Sequence, residues 1–392
     1  MAATTVAGVG GVLALLTALG LGGLLQFGLP WEPEAIYELP RNTTWLPEQA
    51  DINESDYSRR TVTFTSQGVN LEGWLYEPQP QPSSPPPCVI MAHGLGAQKD
   101  MGLHIYAEQF AQAGMAVLAF DYRGFGGSDG AVRNLVSWPR HLQDWQAALD
   151  FVHSGGLGKG RVDTTKVGLW GVSFSGGHVL MTASKEENAE KIRAVVANAP
   201  FLSNSGNVEK ALGERGIKKV LRLLSLALLD KAREVTGVGS PVYVKLVGSY
   251  EELAVLNMHP DELALSRGPS TRPPQRIGGW KNICTARMLL DMMFYKPLAH
   301  VHKVTAPTLI VAGNKDVVTP IAHIREAIKT MSNRTQLLEK PYGHMEQHRY
   351  GATPQELAPV IDFLREQFAL SPRHVETHPH EPVPEAADAE VM

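Results

Sequence analysis

VGLWGVSFSGG, residues 167–177, decides the fold, because in it an apolar strand runs straight into a turn of small residues. Such a strand–turn–helix junction can expose a nucleophilic serine, provided that the residues on both sides of it are small. Two serines compete for the apex of the turn. Around Ser173 the flanking residues are Gly171 and Ser175, and around Ser175 they are Ser173 and Gly177, so neither has the full Gly-x-Ser-x-Gly pattern.

The end of the strand favours Ser173 as the apex. The apolar run stops at Trp170, so the turn begins at Gly171 and Ser175 becomes the small residue after the apex. An apex at Ser175 would leave Gly171 without a role. The alternative to a nucleophile is a plain glycine- and serine-rich turn, which can bind phosphate at the start of a helix.

A serine hydroxyl needs a histidine to take its proton and a carboxylate to orient that histidine. In a parallel sheet both groups must lie on loops at the carboxyl ends of the strands. Asp316 follows the strand TLIVAG, and His344 comes later in GHME, which gives the expected order Ser, Asp, His. The loop after the strand AVVAN has no carboxylate, which favours Asp316 as the acid over a simple turn cap. Ser173, Asp316 and His344 are therefore the predicted catalytic triad.

Two backbone N–H groups are predicted to form an oxyanion hole, in which donors stabilise the charge of a tetrahedral intermediate. One belongs to Phe174, directly after the nucleophile, and the other to Leu95, in HGLGAQKD after the strand CVIMA. His93, in the same loop, is predicted to bridge loops rather than to act as a base. Lys99 and Asp100 are expected to line the rim of the site.

Composition excludes several classes of protein. The formal net charge of −4 provides no basic stripe for binding nucleic acid. Only two cysteines occur, Cys88 and Cys284, so no disulfide framework is expected. His344 and His348 are four residues apart, but the motif is not His-Glu-x-x-His and offers no third ligand, which argues against a zinc site. We expect neither a metal nor an organic cofactor.

The pattern of apolar runs predicts an α/β fold. CVIMA, AVLAF, VGLW, AVVAN and TLIVAG are continuous apolar runs, typical of strands buried on both faces, and helical stretches separate them. This alternation indicates a mostly parallel sheet with helices on both faces. RTVTFTS and LEGWLYEP precede it as a predicted hairpin. The predicted core comprises residues 61–200 and 305–370.

Residues 201–304 interrupt this alternation and are expected to form an inserted helical cap. The stretches RLLSLALL and MLLDMMF within it can wall an apolar acyl pocket, with Met288, Met292 and Met293 as adaptable lining. The alternative is that these apolar helix faces simply pack on the core.

The two ends of the chain differ from the core. Residues 1–29 carry no charged side chain and are long enough to cross a bilayer, which predicts a single-pass membrane anchor. A cleaved signal or transit peptide, and hence a secretory or organellar protein, is the alternative, and an apolar disordered tail is a third. Residues 30–60 are predicted to be a linker, and the polar residues 371–392 a disordered tail.

The motifs HGLG, DYRGFGGSDG, GVSFSGGHVL, GNKDVVTP and GHME together resemble the α/β-hydrolase superfamily. The resemblance covers residues 60–370 and implies a sheet of about eight strands, the triad named above and no cofactor. The serine at position 175, followed by Gly-Gly-His, resembles a subgroup with dipeptidyl-peptidase-like hydrolases and fungal polyketide acyl transferases. Because this fold serves many chemistries, the resemblance does not identify the substrate.

The expected function is that of a serine hydrolase that cleaves carboxylic ester or thioester bonds through an acyl-enzyme on Ser173. The substrate is expected to be a small, apolar acyl compound. Acyl transfer to an alcohol or amine and peptidase activity are the enzymatic alternatives. A catalytically silent, membrane-tethered scaffold is the non-enzymatic one. Oligomeric state stays open.

Overall fold

The computed structural model describes residues 52–203, 216–266 and 280–370. Four predicted segments lie wholly or partly outside these residues: 1–29, 30–60, 201–304 and 371–392. The described part of the predicted linker already contains strand residues, since the first strand begins at Ile52. The folded region therefore begins before the predicted core boundary at residue 61.

The described residues form twelve strands: β1 (Ile52–Asn53), β2 (Tyr57–Ser66), β3 (Val69–Pro78), β4 (Pro87–Ala92), β5 (Ala116–Phe120), β6 (Asp163–Val172), β7 (Ala194–Asn198), β8 (Tyr243–Ser249), β9 (Ala254–Met258), β10 (Ile283–Thr285), β11 (Thr308–Gly313) and β12 (Thr335–Lys340). They also form nine α-helices: α1 (Leu103–Gln112), α2 (Trp138–His153), α3 (Phe174–Ala183), α4 (Ile217–Thr236), α5 (Pro260–Ser266), α6 (Met288–Met292), α7 (Ile321–Thr330), α8 (His344–Tyr350) and α9 (Pro354–Gln367). Across these three described stretches, no helix combines the length and apolar character needed to span a membrane.

Nine of the strands form one sheet in the order β1-β2-β3-β5-β4-β6-β7-β11-β12. Within this order, β5, β4, β6, β7, β11 and β12 pair in parallel. At the other edge β1, β2 and β3 pair antiparallel with one another, and β3 pairs antiparallel with β5. Every residue of β4, β5, β7 and β11 is buried, as expected of strands covered on both faces. The predicted mostly parallel sheet of about eight strands is confirmed, with the two-residue β1 added at its edge.

Helices cover both faces of this sheet. On one face Trp145 of α2 and Val179 of α3 are fully buried in the larger hydrophobic cluster. On the other face Phe110 of α1 and Leu364 of α9 pack in a second cluster with Trp170 of β6. Burying a side chain of this size contributes roughly 1.5–3 kcal/mol, so both layers hold the carboxyl ends of the central strands in fixed positions.

The insertion between β7 and β11 differs in part from the helical cap predicted for residues 201–304. Helix α4 occurs where the apolar periodicity predicts one, but β10, β8 and β9 form a separate three-stranded sheet. Burial in β8 alternates between buried and half-buried residues, the period of a strand with one face on a core. The insertion leaves the main sheet intact, because β7 and β11 still pair directly in parallel.

Candidate active site

Ser173 occupies the sharp turn between β6 and α3. Its backbone has φ 57° and ψ −116°, a strained conformation for a residue with a side chain. The end of β7 and the loop after it hold this turn in place: the Ser173 N–H donates to the Asn198 carbonyl at 2.8 Å, and the Phe201 N–H donates to the Ser173 carbonyl at 2.9 Å. A Cβ on Gly171 would collide with the Ser175 carbonyl oxygen, which explains the glycine two residues before the apex.

The structure brings the three predicted triad side chains together at the carboxyl edge of the sheet. Ser173 Oγ lies 3.1 Å from His344 Nε2, and His344 Nδ1 lies 2.6 Å from Asp316 Oδ2. With a proton on Nδ1, the imidazole donates to Asp316 and can accept the Ser173 proton on Nε2. All three residues are buried, so water does not compete strongly for these hydrogen bonds.

Asp316 is fixed by the loop that follows β11. Its Oδ1 accepts from the backbone N–H groups of Val318 and Thr319 at 2.8 and 2.7 Å, and its Oδ2 accepts from Thr319 Oγ1 at 2.7 Å. Burial raises the pKa of Asp316, but the neighbouring His344 and these hydrogen bonds outweigh burial and hold the pKa below its usual value. The carboxylate therefore stays ionised and can stabilise an imidazolium.

Burial and neighbouring charge also set the pKa of His344, but each changes it in the opposite direction. Burial lowers the pKa of His344, but the carboxylates of Asp316 and Glu262 outweigh it and raise the pKa above 6.5. A histidine with a raised pKa is a stronger base for the serine proton.

Ser175 lies in a different environment from Ser173. Its side chain is fully buried, and its Oγ is 2.9 Å from the phenol oxygen of Tyr122. The Trp145 Nε1–H donates to the same phenol oxygen at 2.9 Å. Ser175 is therefore part of an internal hydrogen-bond network behind the turn, in agreement with its predicted role as a small flanking residue.

The two predicted oxyanion donors lie on either side of Ser173. Phe174 is the first residue of α3, where backbone N–H groups have no partner within the helix. Leu95 lies in the loop after β4, and together with Gly94 it lines the cavity that contains Ser173. A Cβ on Gly94 would be 3.3 Å from the Ser173 Cβ, so this loop approaches the serine closely. The donor role of Leu95 and Phe174 stays a prediction.

His93 and Lys99 are held inside the protein by Asp121, in the loop after β5. His93 Nε2 lies 3.7 Å from Asp121 Oδ1, and burial lowers the pKa of His93 to about 4, as expected of a structural histidine. The Lys99 ammonium binds Asp121 at 2.6 Å and Glu72 at 2.7 Å. The expectation that Lys99 and Asp100 line the rim is wrong, because both are buried and the Lys99 charge is satisfied inside.

Ser173 and His344 open onto a cavity of about 180 Å³ between the sheet and the insertion. Its apolar wall comes from both parts of the chain: Leu95, Met101, Leu103, Ile105, Tyr106, Trp170, Val172, Leu246, Val247, Leu256, Met258, Leu263, Leu265, Trp280 and Met345. His93, Asn282 and His348 add polar groups. The walls on the insertion side come from β8, β9, α5 and Trp280.

The predicted lining by RLLSLALL and MLLDMMF is wrong. Leu223 and Leu226 of α4 are buried in the hydrophobic core, which is the alternative considered for these helices. Met288 is fully buried, Met292 packs against the core and Met293 is 58% exposed, and none of the three is among the described residues that line the cavity.

The described residues include no cluster of side chains suited to a metal ion. The His344 and His348 rings are 5.1 Å apart and meet edge to face. Burial lowers the pKa of His348 to about 3, so this side chain stays neutral beside the triad. Cys88 and Cys284 are both free and buried.

Three residues of the site were not predicted from the sequence. Thr319 follows Asp316 at a spacing that allows a local hydroxyl–carboxylate hydrogen bond, so a signal for it existed. Glu262 of α5 lies beside Gly343, the residue before His344, and Trp280 Nε1 donates to the Gly96 carbonyl at 2.8 Å. Both belong to the insertion, and no motif relates them to the triad.

Comparison with known proteins gives a consistent picture. Residues 83–342 match the family model for serine aminopeptidases, S33. The quorum-quenching protein AidA of Acinetobacter baumannii is 33% identical over 80% of this chain and 97% of its own length. The polyketide transferase grgF of a Penicillium species is 27% identical over 81% of this chain and its full length. The crystal structure of GrgF superposes with a TM-score of 0.65 at 25% identity, covering 80% of this chain and 99% of that one.

Proposed function

Because the chain belongs to the serine aminopeptidase S33 family of α/β hydrolases, we propose that it cleaves ester or thioester bonds of small apolar acyl compounds through an acyl-enzyme on Ser173. The observation that carries this proposal is the hydrogen-bonded series Ser173–His344–Asp316, in which Ser173 and His344 line an apolar cavity.

The geometry supports a two-step reaction. His344 Nε2 takes the Ser173 proton as Oγ attacks the substrate carbonyl carbon, and Asp316 stabilises the imidazolium. The backbone N–H groups of Leu95 and Phe174 are the proposed donors to the oxyanion. The imidazolium then protonates the departing alcohol or thiol, which leaves the acyl group on Ser173. Water, deprotonated by His344, attacks the acyl-enzyme and releases the acid.

The chemistry of the cavity wall favours an acyl ester over a peptide. An aminopeptidase must hold the charged amino terminus of its substrate, and a carboxylate is the group suited to that task. The described residues that line the cavity include no Asp, Glu, Lys or Arg. Apolar side chains from both the sheet and the insertion instead surround the serine, as expected of a site for an acyl chain.

Acyl transfer is the second candidate, and the similarity to a polyketide transferase favours it. Hydrolysis and transfer share the acyl-enzyme and differ only in the acceptor that attacks it. Product analysis separates them. With a nitrophenyl ester and rising concentrations of a primary alcohol or amine, a hydrolase gives mainly the free acid, whereas a transferase gives mainly the new ester or amide.

The full-length chain tests the proposal directly. We expect a fluorophosphonate probe to label it once, on Ser173, and we expect hydrolysis of nitrophenyl esters and of acyl thioesters. A protein that neither reacts with the probe nor turns over any ester or thioester, with or without an acceptor, would support the scaffold alternative.

For the N-terminus we propose that residues 1–29 attach the enzyme to a membrane as a single-pass anchor. The uncharged, apolar character of this segment supports the proposal, and an apolar substrate fits an enzyme at a membrane. Cell fractionation of the full chain and of a variant that lacks residues 1–29 tests it. Carbonate-resistant membrane association of the full chain alone is expected, whereas an intact mass that lacks the segment would indicate a cleaved signal or transit peptide.

A further inference from the structure

A carboxylate from the insertion contacts the backbone of the histidine of the triad. Glu262 lies in α5, which packs against α8, the short helix that begins with His344. Its carboxylate is near the backbone N–H of His344, and this neighbour lowers the pKa of Glu262. The same carboxylate lies against Gly343, where a Cβ would be 2.6 Å from Glu262 Oε1. Glu262 therefore lies at the amino end of α8, beside the residue that must move the serine proton.

The position of Glu262 is electrostatically unusual for an acidic residue. Burial raises its pKa, and the nearby carboxylates of Asp316 and Glu346 raise it further, whereas His344 lowers it. Glu262 Oε2 is buried without a hydrogen-bond partner in the structure. A half-buried carboxylate that leaves one oxygen unsatisfied costs stability, so a structural role alone gives a poor account of it.

The Glu262 carboxylate is favourable when His344 becomes charged. During the reaction the imidazole ring takes the serine proton, and a negative charge near the ring stabilises that state. Glu262 and Asp316 are the two carboxylates that raise the pKa of His344. Asp316 contacts the ring at Nδ1, whereas Glu262 lies beside Gly343, the residue before His344.

We propose that Glu262 is a positioning residue that the insertion contributes to the triad, packing against the amino end of α8 and stabilising the imidazolium form of His344. This inference rests on the proposed function. It makes the insertion part of the proton-transfer apparatus in addition to its role as a wall of the cavity.

The variant Glu262→Gln removes the charge while keeping a side chain of nearly the same size and shape. Asp261→Asn is the matched control, because it removes a charge from the same helix turn, where the Asp261 side chain is 90% exposed. NMR titration of the His344 ring in the full chain needs no substrate. We expect a lower pKa of His344 in Glu262→Gln than in the wild type, and the wild-type value in Asp261→Asn.

Among the described residues, few other titratable groups lie near Glu262 and His344, so few others can change the pKa of His344. Asp316, Glu346 and His348 lie near His344 or Glu262 and are unchanged in both variants. The kcat/KM of Glu262→Gln should fall about tenfold at its plateau, and its acid limb should move to lower pH. Unfolding temperatures of all three proteins separate this effect from a loss of fold.

Equal pKa values of His344 in the wild type and Glu262→Gln would overturn the inference, as would an equal effect of Asp261→Asn. A wild-type protein with no esterase, thioesterase or transferase activity would instead contradict the proposed function, while the NMR titration would still decide the role of Glu262.

Discussion

Ser173 and Ser175 are two residues apart in one turn, yet their hydroxyl groups have opposite surroundings. Ser173 Oγ lies 3.1 Å from His344 Nε2 at the cavity, whereas Ser175 Oγ lies 2.9 Å from the Tyr122 phenol inside the protein. The first can attack a substrate, and the second cannot reach one. The alanine variants of Ser173 and Ser175 therefore form a matched pair.

Ser173→Ala should lower kcat by about 10⁴-fold or more, as expected for a triad nucleophile. Ser175→Ala should keep the activity within a few-fold and lose about 1 kcal/mol of stability, because it removes one buried hydrogen bond. Ester turnover, fluorophosphonate labelling and urea unfolding of both variants check this. Loss of labelling in Ser175→Ala alone would place the nucleophile at Ser175.

Asp316→Asn should lower kcat by about 10³- to 10⁴-fold, because an amide favours the tautomer of His344 with the wrong nitrogen protonated. Thr319→Val should cost less, since Asp316 keeps its two backbone N–H donors. Steady-state kinetics of the two variants give the comparison. If Asp316→Asn keeps nearly full activity, another residue supplies the carboxylate.

The activity should fall at acid pH with a midpoint above 6.5. His344 acts as a base only when its ring is neutral, and its pKa is raised above that ordinary value because Asp316 and Glu262 outweigh burial. Lowering the pH through this raised pKa protonates the ring and removes the base. The pH profile of kcat/KM measures the midpoint, and a midpoint below 6.5 would contradict the charge balance described here.

Leu256→Trp should reduce kcat/KM for longer acyl esters by about tenfold or more while sparing acetate esters. Leu256 lies in β9 on the cavity wall, and a larger ring there takes up space that the acyl chain needs. Met293→Trp, at an exposed position away from the cavity, is the control. A chain-length series of nitrophenyl esters provides the readout, and an equal loss for all chain lengths would argue against an acyl site.

Lys99→Met should destabilise the protein by about 3–5 kcal/mol, because it leaves the buried carboxylate of Asp121 without its cation. Burial raises the pKa of Asp121, but Lys99 and His93 outweigh burial and lower it to about 2. The stability from this pair is therefore present above the ordinary pKa of 3.8 and is lost as the pH falls towards 2. Urea unfolding measures it, with Lys166→Met as the control, because the half-buried Lys166 has only a long, partly exposed contact with Asp163.

The sequence predicted the parts of the site that local patterns specify. Strand ends in a parallel sheet meet at one edge, so the turn at Ser173, the loop of Asp316 and the loop of His344 were placed together without a structure. The backbone strain at Ser173 follows from the same turn. These predictions needed only the order of strands and helices and the chemistry of a few side chains.

The substrate cavity was not predictable in the same way. An apolar helix face such as that of α4 packs equally well on a core or around a ligand, and the sequence does not distinguish the two. Lys99 was misplaced for a related reason, because its partner Glu72 lies in β3, on a different part of the chain. Both errors concern contacts between residues that are distant in sequence.

The insertion leaves the sheet after β7 and returns at β11, and these two strands pair with each other. The main sheet therefore keeps its pairing whatever lies between them, so selection can replace the insertion without rebuilding the strands that carry Ser173 and Asp316. One wall of the cavity, together with Glu262, is thus encoded in a different stretch of the gene from Ser173 and Asp316, so that wall can change while the nucleophile and its acid stay in place.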